Sequence, residues 1–515
     1  MSYAQSLLLA LIGQRRPERT YFDFAHPAER LCLLKAARLR YNSIRRERMN
    51  ESKNQSTAVL LISCYELGHQ PAGIAMPMAF LRHAGFAVEA MDVSVQGFDK
   101  GKVQRARFIG ISVPMHTALR LGLRVAEQVR RINPSCHICF FGLYAALNAE
   151  YLLDTVADST IGGEFEQSLV ALVKSLDAGE PINIDGVSTK DKSSMPVLAR
   201  LDFPAPDRSA LPSLERYARL EHEGEERLAG YVEASRGCLH HCTHCPIPPV
   251  YDGRFFVVKK EVVLDDIRGL ARAGARHITF GDPDFLNGPT HSLNICRAMH
   301  EEFPGLTFDF TAKIEHILKY RTLIAEFGRL GCIFVVCAVE SLSDTVLSHL
   351  EKGHTREDVR EALDILRDAG IAIRPSFVSF TPWTTIDDFI DVLEFVEAHN
   401  LIDHVDPVQY SIRLLVPPGS VLLARPESQT WLGRLAQQAF TYEWSHEDPR
   451  MDELHKEVSA LVEQAVQRNE DSAVTFYRIR DLAYRMRGDR ESVRGIHTIA
   501  PVRLRPPRLT EAWFC

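Results

Sequence analysis

The chain has 515 residues, 45% apolar and 25% charged, with a formal net charge of −7. That length calls for two or three domains and that balance for a soluble globular protein. The charge gives no reason to expect nucleic acid or an acidic membrane as a main partner, and no apolar run of about 18 or more residues predicts a membrane span. The 11 cysteines are odd in number and scattered, which fits thiols kept free in a reducing cytoplasm better than a disulfide framework.

In chain order, residues 1–55 read as a basic extension that carries Arg45-Arg-Glu-Arg-Met49 near its end. It reads either as a helical or disordered arm or as a start codon misassigned upstream of Met49. From 56 to 180 short apolar runs alternate with helical ones. The strands are Ala58–Ser63, Phe86–Met91, Phe108–Val113 and Cys136–Phe141; the helices include Met78–Ala84 and Leu119–Arg131. This rhythm predicts a doubly wound parallel sheet, which binds ligands beyond the carboxyl ends of its strands. Ser112, Gly142, Gly162 and Gly163 fall there. Residues 181–229, rich in proline and charge, read as a linker.

From 230 to 420 a second alternation begins. Strands are expected at Tyr231–Ala234, His277–Phe280, Thr307–Phe310, Ile333–Val336, Ile371–Phe380 and Val408–Leu415, with helices at Glu261–Ala273, Ile317–Leu330 and Arg356–Ala369. Thr355 with Asp358, and Thr384 with Asp387, have N-cap spacing, and Gly274, Gly331 and Gly370 stand where helices should stop. Six such repeats predict a partial (β/α)6 barrel, with its chemistry at the carboxyl ends of the strands. A helical C-terminal region follows from 421 to 515.

Cys238, Cys242 and Cys245 form a C-x3-C-x2-C cluster just after the first barrel strand. Three thiolates around a four-iron cubane leave one iron open. Gly237 suits a tight loop at that point. Zinc is a rival, because His240, His241 and His244 are near and Cys3His is a zinc set. Buried free thiols are the third reading.

Arg236-Gly-Cys-x3-Cys-x2-Cys resembles the radical S-adenosylmethionine (SAM) superfamily. The resemblance implies a [4Fe-4S] cluster on the three cysteines, whose open iron chelates the amino and carboxylate groups of SAM. An electron then cleaves a carbon–sulfur bond and makes a carbon radical. The residue before the third cysteine is usually aromatic in that family; here it is His244. Gly281-Asp-Pro-Asp-Phe285 matches the segment that holds the SAM ammonium, with Asp282 or Asp284 as acceptor. A helix cap is the other reading of either aspartate. Lys313 and Glu315, Glu340 and Ser341, and Arg374 and Ser376 match later positions around the rim. Arg374 lies in an apolar strand and needs a partner, either the SAM carboxylate or a structural ion pair.

The doubly wound front domain, with the linker Phe203–Pro212, resembles the cobalamin-binding class of this superfamily. The D-x-H-x-x-G sequence that supplies a histidine to cobalt is missing; the nearest histidine is His69. Bound cobalamin and a domain of that shape used without it both remain open. The end, Leu509-Thr-Glu-Ala-Trp-Phe-Cys515, resembles a group whose tails run Cys-Cys-Ala-Glu-Pro or Cys-selenocysteine-Ala-Glu-Pro. The resemblance then implies that the chain continues through a selenocysteine codon, making Cys515 part of a thiol/selenol pair suited to soft elements.

These resemblances imply a cytoplasmic transferase that moves a methyl or other group by radical chemistry onto a small molecule. An electron donor such as flavodoxin or ferredoxin would serve it, without nucleic acid or membrane. Transfer of the aminocarboxypropyl part of SAM to arsenic or a related soft atom is the alternative within the family. A zinc or iron–sulfur sensor or scaffold without turnover is the alternative outside it.

Overall fold

The computed structural model describes residues 58–489, 503 and 505–511. The basic extension, the choice of start at Met49 and Cys515 lie outside the described residues. The chain divides into two compact units. Among the described residues, unit 1 holds 58–66, Gly73–Val197 and Pro206–Pro212; unit 2 holds Leu67–Ala72, Leu198–Ala205 and those from Ser213 onward.

Unit 1 is a six-stranded sheet in the order β2-β1-β3-β4-β5-β6. Its strands are β1 (Val59–Ser63), β2 (Val88–Asp92), β3 (Phe108–Ser112), β4 (His137–Phe141), β5 (Ser159–Ile161) and β6 (Val187–Thr189). The first five run parallel, and β6 returns antiparallel beside β5. Every residue of β1, β3 and β4 is buried, because helices cover both faces of such a sheet. Those helices are α1 (Ala72–His83), α2 (Lys100–Arg105), α3 (His116–Ile132), α4 (Leu143–Leu147), α5 (Ala149–Thr155) and α6 (Glu166–Ala178). On α3, Ala118, Leu119, Gly122, Val125, Ala126 and Val129 are buried at helical spacing. The core gathers Leu61, Ile74, Met78, Phe108, Phe141 and Leu169. The order reverses between β1 and β3, the place where doubly wound sheets hold ligands.

Unit 2 is built on a seven-stranded sheet in the order β14-β13-β12-β11-β8-β7-β17. A hairpin opens it: β7 (Arg219–His222) and β8 (Glu225–Val232) turn through Glu223 and Gly224, both at positive φ. β6, β7 and the first half of β8 therefore lie inside the stretch 181–229 that reads as a linker. A small antiparallel pair follows, β9 (Ser235–Gly237) with β10 (Phe255–Val257), and α7 (Pro248–Tyr251) lies between them. Four further strands run parallel to β8: β11 (His277–Phe280), β12 (Thr307–Ala312), β13 (Cys332–Glu340) and β14 (Ala372–Phe377). Helices α8 (Lys260–Arg272), α9 (Pro289–Glu302), α10 (Ile314–Lys319), α11 (Arg321–Arg329), α12 (Asp344–His349), α13 (Arg356–Asp368) and α14 (Ile386–Ala398) connect and cover them. The result is a curved half-barrel sheet.

Three details differ from the sequence reading. The helix expected over 317–330 is two helices, broken where Tyr320 leaves helical geometry. The second capping box is Thr385 with Asp388, one residue later than expected, because the Thr384 hydroxyl is bonded to Thr381. The sixth strand, 408–415, shrinks to one parallel bridge between Phe380 and Arg413. In its place Pro407–Ser411 is a 3-10 turn. Pro407 has no N–H for a ladder, and Gln409 serves the edge of β14 by other means. Its side-chain oxygen accepts from Phe377 N at 3.0 Å, and its carbonyl accepts from the Ser379 hydroxyl at 2.8 Å.

The C-terminal part adds the hairpin β15 (Leu432–Ala436) and β16 (Thr441–Trp444), then α15 (Pro449–Gln467) and α16 (Ser472–Arg487). The last described strand, β17 (Arg508–Leu509), pairs antiparallel with β7. No helix among the described residues is long and apolar enough to cross a membrane.

Candidate functional site

The loop after β8 and β9 carries the three cysteines. Gly237 starts it at φ +74, and a Cβ there would lie 2.3 Å from Arg254 O and 2.6 Å from the Tyr251 ring. Only glycine satisfies both the backbone and the space. Cys238 N then donates to Arg254 O at 3.1 Å, and Thr243 pins the far side through Leu350 O and His349 O. Cys238 and Cys242 are buried, Cys245 is half-buried, and none is in a disulfide. Burial pushes the Cys245 thiol up to about 12 and raises Cys238 as well. Asn287 Nδ2 donates to Cys238 Sγ at 3.5 Å. Three thiols on one short loop, uncommitted to each other, are a donor set that fits an iron cluster. Gly237→Ala is expected to destabilise unit 2 by about 3 kcal/mol and to lower iron uptake; denaturant melts and iron assay of the variant check both.

Opposite the loop, Glu340 ends β13 at φ +65, an unusual conformation for a residue with a side chain. Its carboxylate meets Lys352 Nζ at 3.1 Å and His244 Nε2 at 3.7 Å. Burial pushes the Glu340 carboxyl upward, but Lys352 and His244 outweigh it and hold it at about 2. Burial works against the Lys352 ammonium too; Glu340 and the thiols of Cys242 and Cys245 outweigh it and raise its pKa. His244 thus has a carboxylate partner in the position where the resembling family carries an aromatic residue.

The other expected residues divide between two places. Gly281, Asp282, Arg374 and Ser376 line a cavity of about 160 Å³ inside the curved sheet, together with Tyr231 and Asp309. Asp284, Lys313, Glu340 and His244 do not line it. Tyr231 donates its hydroxyl to Gly281 O at 3.3 Å. Asp282 accepts from the Ser235 hydroxyl and from Ala234 N, and burial raises its carboxyl to about 7. Arg374 is already engaged, with Nη2 at 2.6 Å from Asp406 Oδ2; this favours the structural ion pair among its two readings. Ser376 donates to Cys337 O at 3.3 Å. Asp284 caps the turn at Leu286 N, as the alternative reading of the aspartates has it. Lys313 Nζ lies 3.1 Å from both Glu315 and His240. Cys332 and Cys337 are buried in β13.

Sequence reasoning missed Lys352, Asn287, His316 and Asp406. Lys352 was detectable as a charge just before the capped start of α13. Asn287, His316 and Asp406 carry no sequence signal, since each depends on which strand ends meet. His69 lies in unit 2, where its ring packs 4.7 Å from that of Tyr231 and burial pulls it down to about 3.

In unit 1 the carboxyl rim presents Ser63, Ser112 and Gly142, at the ends of β1, β3 and β4. Gly162 and Gly163 are occupied by internal packing: a Cβ on Gly163 would come within 2.3 Å of Val197 O. The residues directly after β1 are Cys64, Tyr65 and Glu66. None of the three is a histidine, so the segment directly after β1 offers no imidazole to a cobalamin.

Residues 232–396 match the radical SAM superfamily and residues 58–173 match the B12 binding domain. The chain thus carries a radical SAM domain preceded by a B12 binding domain. Among curated relatives of this radical SAM protein, a putative methylthiotransferase of Methanocaldococcus jannaschii is 25% identical over 34% of this chain and 40% of its own length. A tRNA-2-methylthio-N(6)-dimethylallyladenosine synthase of Desulfosudis oleivorans is 30% identical over 37% of this chain and 42% of its own. The chain thus spans less than half the length of these two relatives. The cobalamin-dependent SAM radical enzyme OxsB, with aqua-cobalamin and SAM bound, has the same fold at TM-score 0.65 and 17% identity. That likeness covers 80% of this chain and 67% of OxsB. The radical SAM methyltransferase TsrM of Kitasatospora setae, with cobalamin and a [4Fe-4S] cluster, aligns at TM-score 0.54 and 18% identity, over 67% of this chain and 74% of TsrM. The radical SAM match implies a [4Fe-4S] cluster and SAM as cofactors, and the B12 binding domain match supports cobalamin.

Proposed function

We propose that this protein reductively cleaves SAM and transfers a methyl or related group to a small molecule, with the cluster held by Cys238, Cys242 and Cys245. The observation that carries the reading is the single loop of three uncommitted, largely buried thiols at the carboxyl end of β8. When bound, the cluster supplies the electron and the open iron at which SAM is held. The protein's own part is positional. Gly237 and Thr243 fix the loop, and Lys352 places a buried positive charge beside Cys242 and Cys245, partly offsetting the charge of two thiolates. The cavity inside the sheet offers SAM or substrate the Tyr231 hydroxyl and the Asp282 carboxyl. The names of the relatives, methylthiotransferase and methyltransferase, favour a one-carbon or sulfur-linked group as cargo.

The test is anaerobic reconstitution with iron and sulfide, then SAM and a strong reductant, with product analysis. 5′-Deoxyadenosine is expected. Methylthioadenosine in its place would redirect the reading to aminocarboxypropyl transfer. A loaded cluster that leaves SAM intact, with and without added cobalamin, would overturn the proposal.

A further inference from the structure

We infer that His240, Asp284 and His316 form a binding site for one divalent cation of the zinc or ferrous type, separate from the three cysteines. The ligand atoms of these residues all lie within 4.8 Å of one another. His240 Nε2 is 3.7 Å and His316 Nδ1 2.9 Å from Asp284 Oδ2. Two ligands each about 2.1 Å from a shared ion stand roughly 3.0 Å apart at a right angle and roughly 3.6 Å apart at 120°. The observed separations are of that size.

Hydrogen bonding does not account for the cluster. Both ring nitrogens are buried and neither has a hydrogen-bond partner; the 2.9 Å contact of His316 is short enough but lies off the line a ring N–H needs. Two buried, orphaned imidazole nitrogens facing one carboxylate oxygen cost stability unless something sits between them. The rings are tilted at 56° with centroids 4.7 Å apart, so they are not stacked face to face.

The surroundings suit a cation. Asp284 is held in place because its other oxygen caps Leu286 N at 2.9 Å, and its side chain is 1% exposed. The far nitrogen of His240, Nδ1, lies 4.0 Å from Glu315 Oε2. Lys313 Nζ is closer to Nδ1, at 3.1 Å; with an ion on Nε2, Nδ1 carries the proton, so the ammonium, which is a donor only, must move off it and leave Glu315 as the acceptor, the carboxylate–histidine–metal arrangement that fixes a ligand ring. Lys313 keeps its own contact with Glu315 at 3.1 Å. Asp284 and Glu315 together offset much of the charge of the ion and the lysine. Solvent completes the coordination.

The three ligands come from three places: the loop between Cys238 and Cys242, the segment after β11, and α10 after β12. One ion there ties the cysteine loop to two neighbouring strand ends. Its role is to clip that loop, whatever the cysteines themselves hold.

The full-length protein, with its iron cluster reconstituted, is loaded with zinc and washed with a weak chelator. One zinc per chain is expected. Its X-ray absorption should show nitrogen and oxygen neighbours at about 2.0 Å, the outer-shell pattern of imidazole, and no sulfur at about 2.3 Å. His316→Gln and Asp284→Asn should each weaken zinc binding about 100-fold or more. A sulfur shell would mean zinc on the cysteines and would overturn the inference. So would zinc retention unchanged in His316→Gln, or no zinc held by the parent protein. The absorption measurement needs no variant, so misfolding of a substituted chain leaves the test intact.

Discussion

Replacing any one of Cys238, Cys242 and Cys245 with alanine should strip the protein of its iron–sulfur colour and abolish SAM cleavage. A cubane held at three corners has no spare protein ligand. Removing one thiolate leaves two contacts and a second open iron, and such a cluster is lost to solvent or chelator. Iron after anaerobic reconstitution should fall from about four per chain to below about one, and nucleoside product to background. The fold should survive, because truncating a cysteine removes a single sulfur and none of the three is in a disulfide. Cys332→Ala and Cys337→Ala are the matched controls. Both thiols are buried in β13; their loss should cost core packing on the order of 1 kcal/mol while leaving iron content unchanged. Full iron in Cys242→Ala would sink the assignment of the cluster to this loop.

The second large effect is expected at Lys352. Lys352→Met should destabilise unit 2 by about 3–5 kcal/mol, because it leaves the Glu340 carboxylate buried without its ion-pair partner. The side chains are 3% and 11% exposed, so solvent cannot substitute. The pH dependence should change sign. In the parent protein the Glu340 carboxyl is held at about 2 against an ordinary 4.5; its contribution is present above 4.5 and is lost as pH falls from there toward 2. Lys352 is raised above 10.5, so its contribution is full below 10.5 and lost as pH rises through the raised value. Between these limits the pair contributes a flat plateau. With methionine at 352 only His244 still opposes burial at Glu340, so its carboxyl should rise, and once it passes 4.5 stability should instead fall as pH rises above that value. Adding Glu340→Gln to Lys352→Met should restore most of the loss. Denaturant midpoints across pH for the parent, the single and the double variant measure all three. A double variant no more stable than the single one would show that the ion pair is not the cause.

Much of this architecture is written in local pattern. The five-residue runs of unit 1 are apolar on both faces because helices cover both faces, and that signal needs no partner to be read. β11, His277–Phe280, lies where its β-branched and aromatic residues place it. The capping box at Thr355 lies where its Thr-x-x-Asp spacing puts it. The sixth strand was misread because Val408–Leu415 has strand composition while Pro407 and the side chain of Gln409 decide its conformation through contacts with β14. The helix break at Tyr320 follows from tertiary packing that no local pattern announces. For the site, the cysteine spacing marked the loop at once, since those residues are neighbours in the chain. The Arg374–Asp406 and Glu340–Lys352 pairs join segments 32 and 12 residues apart, and the charge of one end gives no address for the other. The same holds for His316 and Asp284.

The pairing of β17 with β7 imposes an order on the making of this protein. Unit 1's sheet ends at Thr189, so all its strands are available early in synthesis. The sheet of unit 2 cannot close its β7 edge until Leu509 has emerged. At about 5–20 residues per second the interval is roughly 15–60 s. Through that time the nascent β7–β8 hairpin presents an unpaired edge, the kind of surface that recruits strands from other chains. The charged residues of β7, Arg219 and Glu221, stand on that waiting edge, and charged side chains there are the kind that discourage pairing with a foreign strand.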